Sequence, residues 1–309
     1  MKRFIYLMLG LLFVVSCSTN QEVNELSIIP NSESKAIDVN YQNLQSDLNQ
    51  LNANIESHKT RGFLSRFFNR VLKVFVSDCV GAIKGAFEGE NIWQSAEGAS
   101  LGSAKKQGFI SCVDATNTYI TRVLDINEAH ATDCLQPKES ALQNVLLVDP
   151  ASATLEDSIG YYHNRIIYNT LQENNSITYW KEISDEECLQ KLNVEITKAS
   201  NGTNYKDTIM SNKTKVFCTF ISQTSTESQN YEEIIETTKI KYPQLSNMLD
   251  VASTYFKGME LVTTEEEWQQ YCKNVLAIIT KANISQHDKD ALKMGINVGY
   301  ASSKLWKCE

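Results

Sequence analysis

The residues able to do chemistry in this chain are few and far apart. Its four histidines are widely separated, which leaves little general-base capacity at neutral pH. His163 lies in the run Gly160-Tyr161-Tyr162-His163-Asn164, and helical periodicity places it on one face with Ile159, Ile166 and Ile167. The imidazole is therefore expected to point inward. A buried neutral histidine with one hydrogen-bond partner satisfies such a position, whereas a general base or ligand needs a convergent acid, and none is visible nearby in the sequence. His163 and Asn164 stand as the candidate functional pair.

Other groupings carry less. His130 and Cys134 have the four-residue separation of two ligands on one helix face, with Asp133 beside them, but two ligands do not make a metal site. Glu232 with Glu233, and Glu265 to Glu267, sit at helix starts where the helix dipole favours carboxylates. No Walker loop, dinucleotide fingerprint, Gly-x-Ser-x-Gly elbow, His-Glu-x-x-His or EF-hand loop occurs. Asp125 and Asn127 open a spacing like a calcium loop, yet its glycine and terminal glutamate are missing. No catalytic, cofactor-binding or metal-ligating residue is assigned, and no cofactor is expected.

The start of the chain reads as an address. Lys2 and Arg3 precede an apolar run from Phe4 to Val15 broken only by Gly10, and small Ser16 stands before Cys17. Leu12-Phe13-Val14-Val15-Ser16-Cys17 resembles a bacterial lipobox, and the apolar run is shorter than the roughly 20 residues a membrane span requires. The resemblance implies a signal peptide over residues 1–16 and a lipidated Cys17. Its thioether lipid and amine-linked acyl chain would supply the two anchors that stable membrane attachment needs. The expected location is the bacterial cell envelope, lipid-anchored at the outer membrane, with the bilayer as one partner and an envelope protein as another.

Composition is that of a globular protein: among 309 residues 42% are hydrophobic and 21% charged, so disorder is not the default. The net charge of -8, more negative once Lys2 and Arg3 leave, gives a nucleic-acid partner no electrostatic support. Lipid would consume one of eight cysteines, leaving an odd number in an oxidising compartment where disulfides persist. There is no Cys-x-x-Cys, hence no redox or zinc-ribbon motif.

The elements that must position these groups read as helices. Residues 17–36 form a polar tether containing Pro30. Ile37, Tyr41, Leu44, Leu48, Leu51 and Ile55 then mark one apolar seam, stopped near Gly62. Phe63, Leu64, Phe67, Phe68, Val71, Leu72, Val74, Phe75 and Val76 cover most of a second helix, with Arg66, Arg70 and Lys73 sharing the remaining face. This is either a core helix with one solvated stripe or a basic, aromatic helix lying among lipid headgroups; the width of its apolar arc favours the core. Gly81, Gly85, Gly89, Gly98 and Gly102 follow, a small-residue ridge that resembles a glycine zipper. Lys84, Glu88, Glu90, Lys105 and Lys106 interrupt it and argue against a bilayer span, so a helical hairpin turning between Glu90 and Trp93 is expected. Cys79 and Cys112, about equally far from that turn, could pair across it.

Val113 to Ala131 continues in helical register, and Pro137 and Pro150 bracket an irregular connection. Thr154 with Asp157, Ser184 ahead of Asp185 to Glu187, Thr264 with Glu267 and Ser285 with Asp288 are helix starts. Cys188 and Cys218 flank the Asn201-Gly202 turn and form a second possible disulfide, although 216–221 reads equally well as a strand. Ala291, Gly295, Gly299 and Ser303 make a second small ridge, so helices are expected to approach closely, ridge against ridge.

Gly160, His163, Asn164, Ala301, Ser302 and Trp306 resemble the pattern of an uncharacterised group of cell-envelope lipoproteins, in which a Gly-rich helical part precedes a Gly-x-x-His-Asn helix. That resemblance supports an architecture and carries no chemistry. The expected fold is an all-α multi-helix bundle with a glycine-rich hairpin, divided into 37–131, a connection over 132–153, and 154–309, with 37–309 forming one continuous core. The expected function is a membrane-anchored, non-catalytic interaction or scaffold module. A membrane-active protein using the basic-aromatic helix and glycine ridges is the alternative, and an enzyme centred on His163 the second.

Overall fold

A computed structural model describes residues 31–56, 65–106, 142, 145–149, 151–172, 179, 182–199, 210–262 and 264–306, without the side chains of 31–36, 56, 65–71 and 155. Ten α-helices occur among these residues: α1 (Asn31–Glu56), α2 (Ser65–Phe87), α3 (Ile92–Lys106), α4 (Leu155–Gln172), α5 (Asp185–Ala199), α6 (Asn212–Glu227), α7 (Tyr231–Lys241), α8 (Ser246–Met259), α9 (Glu265–Lys281) and α10 (Gln286–Leu305). No strand occurs among the described residues, and the fold is an all-α bundle. The segment readable as a strand at 216–221 is the middle of α6, with Phe217, Cys218 and Ile221 buried at helical spacing.

Local signals set the helix starts. Thr154 Oγ1 accepts from the Asp157 backbone N–H at 3.3 Å while the Asp157 carboxylate accepts from the Thr154 N–H at 3.1 Å. Thr264 and Glu267 make the same reciprocal pair, and Ser184, Ser211, Asn230 and Ser285 cap α5, α6, α7 and α10. Between α2 and α3 the chain reverses within a few residues through Gly89, whose φ of +64° is the left-handed conformation glycine adopts without strain. The expected hairpin forms, with its turn over 88–91, ahead of but overlapping the expected Glu90 to Trp93.

The chain divides between Val39 and Asn40. In the first unit the described residues are helical, and Ile37, expected on the apolar seam, is 42% exposed. In the second, Tyr41, Leu44 and Leu48 are buried as the seam requires, and the core runs from these residues through every later helix to Trp306. Helix α10 packs most extensively on α2 and α4, α2 on α3, and α3 on α6. Stacked Tyr255, Tyr271 and Trp268 fill the space between α8 and α9, and the Tyr271 hydroxyl donates to Asn52 of α1.

Small residues make the close contacts possible. A Cβ added at Gly81 would lie 2.6 Å from the Ser95 carbonyl oxygen, and one at Gly295 would lie 2.5 Å from the Ile83 side chain. The two ridges do not meet each other as expected: Gly81 and Gly85 face Ser95 of α3, whereas Gly295 and Gly299 of α10 face Ile83 and Cys79 on another side of α2. Lys84 interrupts the first ridge without opening it: its buried ammonium pairs with Glu88 at 2.8 Å and Glu90 at 2.9 Å and sits over the Phe217 ring. No helix among the described residues is long and apolar enough to cross a membrane.

Three expectations change. Lys73, placed on a solvated stripe by the sequence, is buried between Leu72 and Val74 and donates to the Ser228 carbonyl. The Cys188–Cys218 bridge is absent: both thiols are free and buried, with Cys218 Sγ turned toward the Gln94 carbonyl at 3.6 Å. Cys79 is also a free thiol, directed at α10 near Gly299 rather than along the hairpin. Its expected partner Cys112 lies outside the described residues, as do Cys17, the 113–131 helix and the His130–Cys134 pair.

Burial pushes the Cys188 and Cys218 thiols up to about 12, and those of Cys79 and Cys272 higher still. Thiolate is the reactive form. Alkylation of the native protein followed by peptide mass spectrometry is therefore expected to leave these four cysteines unmodified, and alkylation in denaturant to label them all. A native disulfide-linked Cys188–Cys218 peptide would contradict the structure.

Candidate functional site

The inward face of α4 delivers His163 as its periodicity requires, and two carboxylates meet it that the local sequence does not announce. Asp78 comes from α2, and Glu97 from α3. Asp78, Glu97 and His163 are all 0% exposed. His163 Nε2 lies 3.4 Å from Asp78 Oδ2, and Nδ1 lies 3.7 Å from Glu97 Oε1. The imidazole therefore sits between two acids from two other helices, close enough for strong electrostatic coupling in a low-dielectric interior.

The two carboxylates are not equivalent. Asp78 Oδ2 accepts hydrogen bonds from Ser100 Oγ at 2.9 Å and from Ser302 Oγ, and Trp306 Nε1 donates to Ser100 at 3.3 Å. Donors aimed at an oxygen favour its anionic form. Among the described residues no donor reaches either oxygen of Glu97 at hydrogen-bond geometry. Burial raises the Asp78 carboxyl, with the imidazole and both hydroxyls opposing it, and pushes Glu97 up to about 7. Burial pulls His163 down, but its two flanking carboxylates outweigh that and bring it up to about 9. At neutral pH the site holds an imidazolium between the two acids, with a marginal proton on Glu97.

Asn164 faces α10, donating through Nδ2 to the Ala301 carbonyl at 2.7 Å. Gly160 lets the same helices touch, since a Cβ there would lie 2.4 Å from the Asn297 carbonyl oxygen and 2.7 Å from Ala301 Cβ. Gly160, His163, Asn164, Ala301, Ser302 and Trp306, singled out together in the sequence, are thus brought into one region around Asp78 and Ser100. The structure adds Asp78, Glu97 and Ser100 to that set. One signal in the sequence bears on them: Asp78 stands three and seven residues before Gly81 and Gly85, on the close-packing face itself, where a solvated carboxylate has no place.

The arrangement limits the chemistry. Both serine hydroxyls point at the aspartate and neither at the histidine, so no nucleophile–base pair exists here. The two ring nitrogens diverge, one toward each acid, so one ion cannot be shared by all three side chains. Among the described residues no group of three His, Cys, Asp or Glu is disposed to hold a metal. What the arrangement can do is bind protons and tie α2, α3, α4 and α10 together through side chains. Comparisons of the chain with protein-family models, curated proteins and solved structures return no significant match.

Proposed function

We propose that the protein is a non-catalytic helical module, lipid-anchored through Cys17 in the bacterial envelope, that acts by binding another envelope protein. The observation that supports the non-catalytic part is the closure of the His163 cluster: its three ionisable side chains are 0% exposed. A substrate meets none of them, and the groups serve the helix seams instead. The reading of an enzyme centred on His163 loses support for the same reason. The membrane-active reading loses support where the glycine ridges at Gly81 and Gly295 are filled by neighbouring helices. The anchor itself rests on the cationic start, short apolar run and Ser16-Cys17 end.

The test has two parts. Metabolic labelling with a clickable fatty acid is expected to mark the wild-type chain and to fail on Cys17→Ser. Cross-linking in intact envelopes is expected to recover a stoichiometric protein partner from wild type and to lose it from Cys17→Ser. Label that persists in Cys17→Ser would overturn the anchor, and recovery of the wild-type chain alone would overturn the scaffold reading.

A further inference from the structure

The closed cluster has an imbalance in its fixed chemistry: two carboxylates, one imidazole, and no water-facing edge on any of them. Among the groups facing it, α2 contributes Asp78 and the neutral thiol of Cys79, α3 contributes Glu97, α6 contributes the neutral thiol of Cys218 near Glu97, and α10 contributes only the Ser302 hydroxyl. The charged groups that act on the imidazole are the two acids. Of the two buried lysines of α2, Lys84 is engaged by Glu88 and Glu90, and Lys73 donates to the Ser228 carbonyl. An imidazolium alone leaves one carboxylate uncompensated, and an uncompensated buried charge is expensive.

We propose that Asp78, Glu97 and His163 form a proton-loaded clasp that holds α4 against the α2–α3 hairpin, and that proton loss in alkaline surroundings loosens this seam. Every group in the clasp contributes in the same direction. Glu97, raised from 4.5 to about 7, favours the folded state fully below pH 4.5 and loses that contribution as pH rises through about 7. His163, raised from 6.5 to about 9, contributes fully below pH 6.5 and loses its contribution as pH rises through about 9. Asp78 is raised as well and adds no opposing trend. Each proton held only by the folded state makes the closing equilibrium fall by about tenfold per pH unit inside its window. Among the described residues no ion pair joins α4 to α10, where Gly160 meets Asn297 and Asn164 meets Ala301. Loosening is therefore confined to the side of α4 that faces the hairpin.

The experiment uses the full-length protein in detergent micelles, with nitrogen-15 labelled histidine for NMR and hydrogen exchange by mass spectrometry. In wild type the His163 resonance, assigned by its absence from His163→Gln, is expected to report both ring nitrogens protonated at pH 7. After correction for intrinsic base catalysis, protection of α4 is expected to fall by tenfold or more between pH 7 and 10, while α8 and α9 keep theirs. Glu97→Gln removes one of the two acids without removing the imidazole, so the His163 midpoint is expected to move down toward the ordinary histidine range. That selective movement also identifies the resonance if His163→Gln does not fold. A neutral His163 at pH 7, α4 protection unchanged from pH 7 to 10, or an unmoved midpoint in Glu97→Gln would each overturn the clasp.

Discussion

His163→Ala is expected to lower the stability of the protein at pH 7 by about 3–5 kcal/mol, measured as a shift in the denaturant midpoint. The substitution opens a cavity in the closed interior, but the larger effect is electrostatic. It leaves Asp78 and Glu97, both 0% exposed, without the cation between them. The difference between wild type and variant is expected to be greatest near neutral pH. Toward pH 5 the orphaned acids take up protons at little cost, and above about pH 9 the wild-type imidazole is itself neutral. A difference that stays constant from pH 5 to 10 would show that the site works through packing alone. Replacing all three groups together by neutral side chains is expected to cost far less than removing His163, because no charge is then left unpaired.

The second large effect is steric. Gly160→Ala is expected to cost about 3 kcal/mol or more, since the new methyl would lie 2.4 Å from a backbone carbonyl oxygen of α10 that cannot rotate away. Gly299→Ala, also within a helix, meets its nearest neighbour, Cys79 Cβ, at 3.6 Å, an ordinary contact. There the better helix propensity of alanine is expected to leave stability unchanged or raised by up to about 1 kcal/mol. Thermal unfolding of the pair reads the contrast directly. Equal effects of the two substitutions would mean that the α4–α10 seam is not as close as the backbone places it.

The difference between these two glycines is not legible in the sequence, where Gly299 belongs to a small-residue ridge and Gly160 to the Gly-x-x-His-Asn run, and neither pattern gives the distance to a neighbouring helix. Periodicity and caps did carry most of the helices. The inward turn of His163 follows from Ile159, Ile166 and Ile167, and Thr154, Thr264 and Ser285 mark their helix starts by residue type alone. The partners of His163 did not follow, because helix periodicity reports which face is buried and not which distant helix covers it. Asp78 precedes His163 by 85 residues and Glu97 by 66, so even where the small-residue face marks a carboxylate as buried, nothing local names its partner. Lys73 was misplaced for the same reason: its charge marks a polar stripe in the sequence, while Ser228, from the turn between α6 and α7, supplies a buried acceptor for it. The Cys188–Cys218 pairing failed because equal flanking of a turn fixes neither the rotation of two helices nor the direction of their Cβ atoms.

The fold accounts for the placement of every ionisable group in the His163 cluster without requiring a substrate, and that is the claim most open to direct contradiction. The decisive measurement is envelope cross-linking of an Asp78→Asn, Glu97→Gln, His163→Gln variant beside wild type, with circular dichroism on the purified chains to establish that both are helical. The variant is expected to fold and to recover the same stoichiometric partner as wild type. A folded variant that loses that partner would contradict the claim, because the cluster would then contribute to function beyond holding the bundle together.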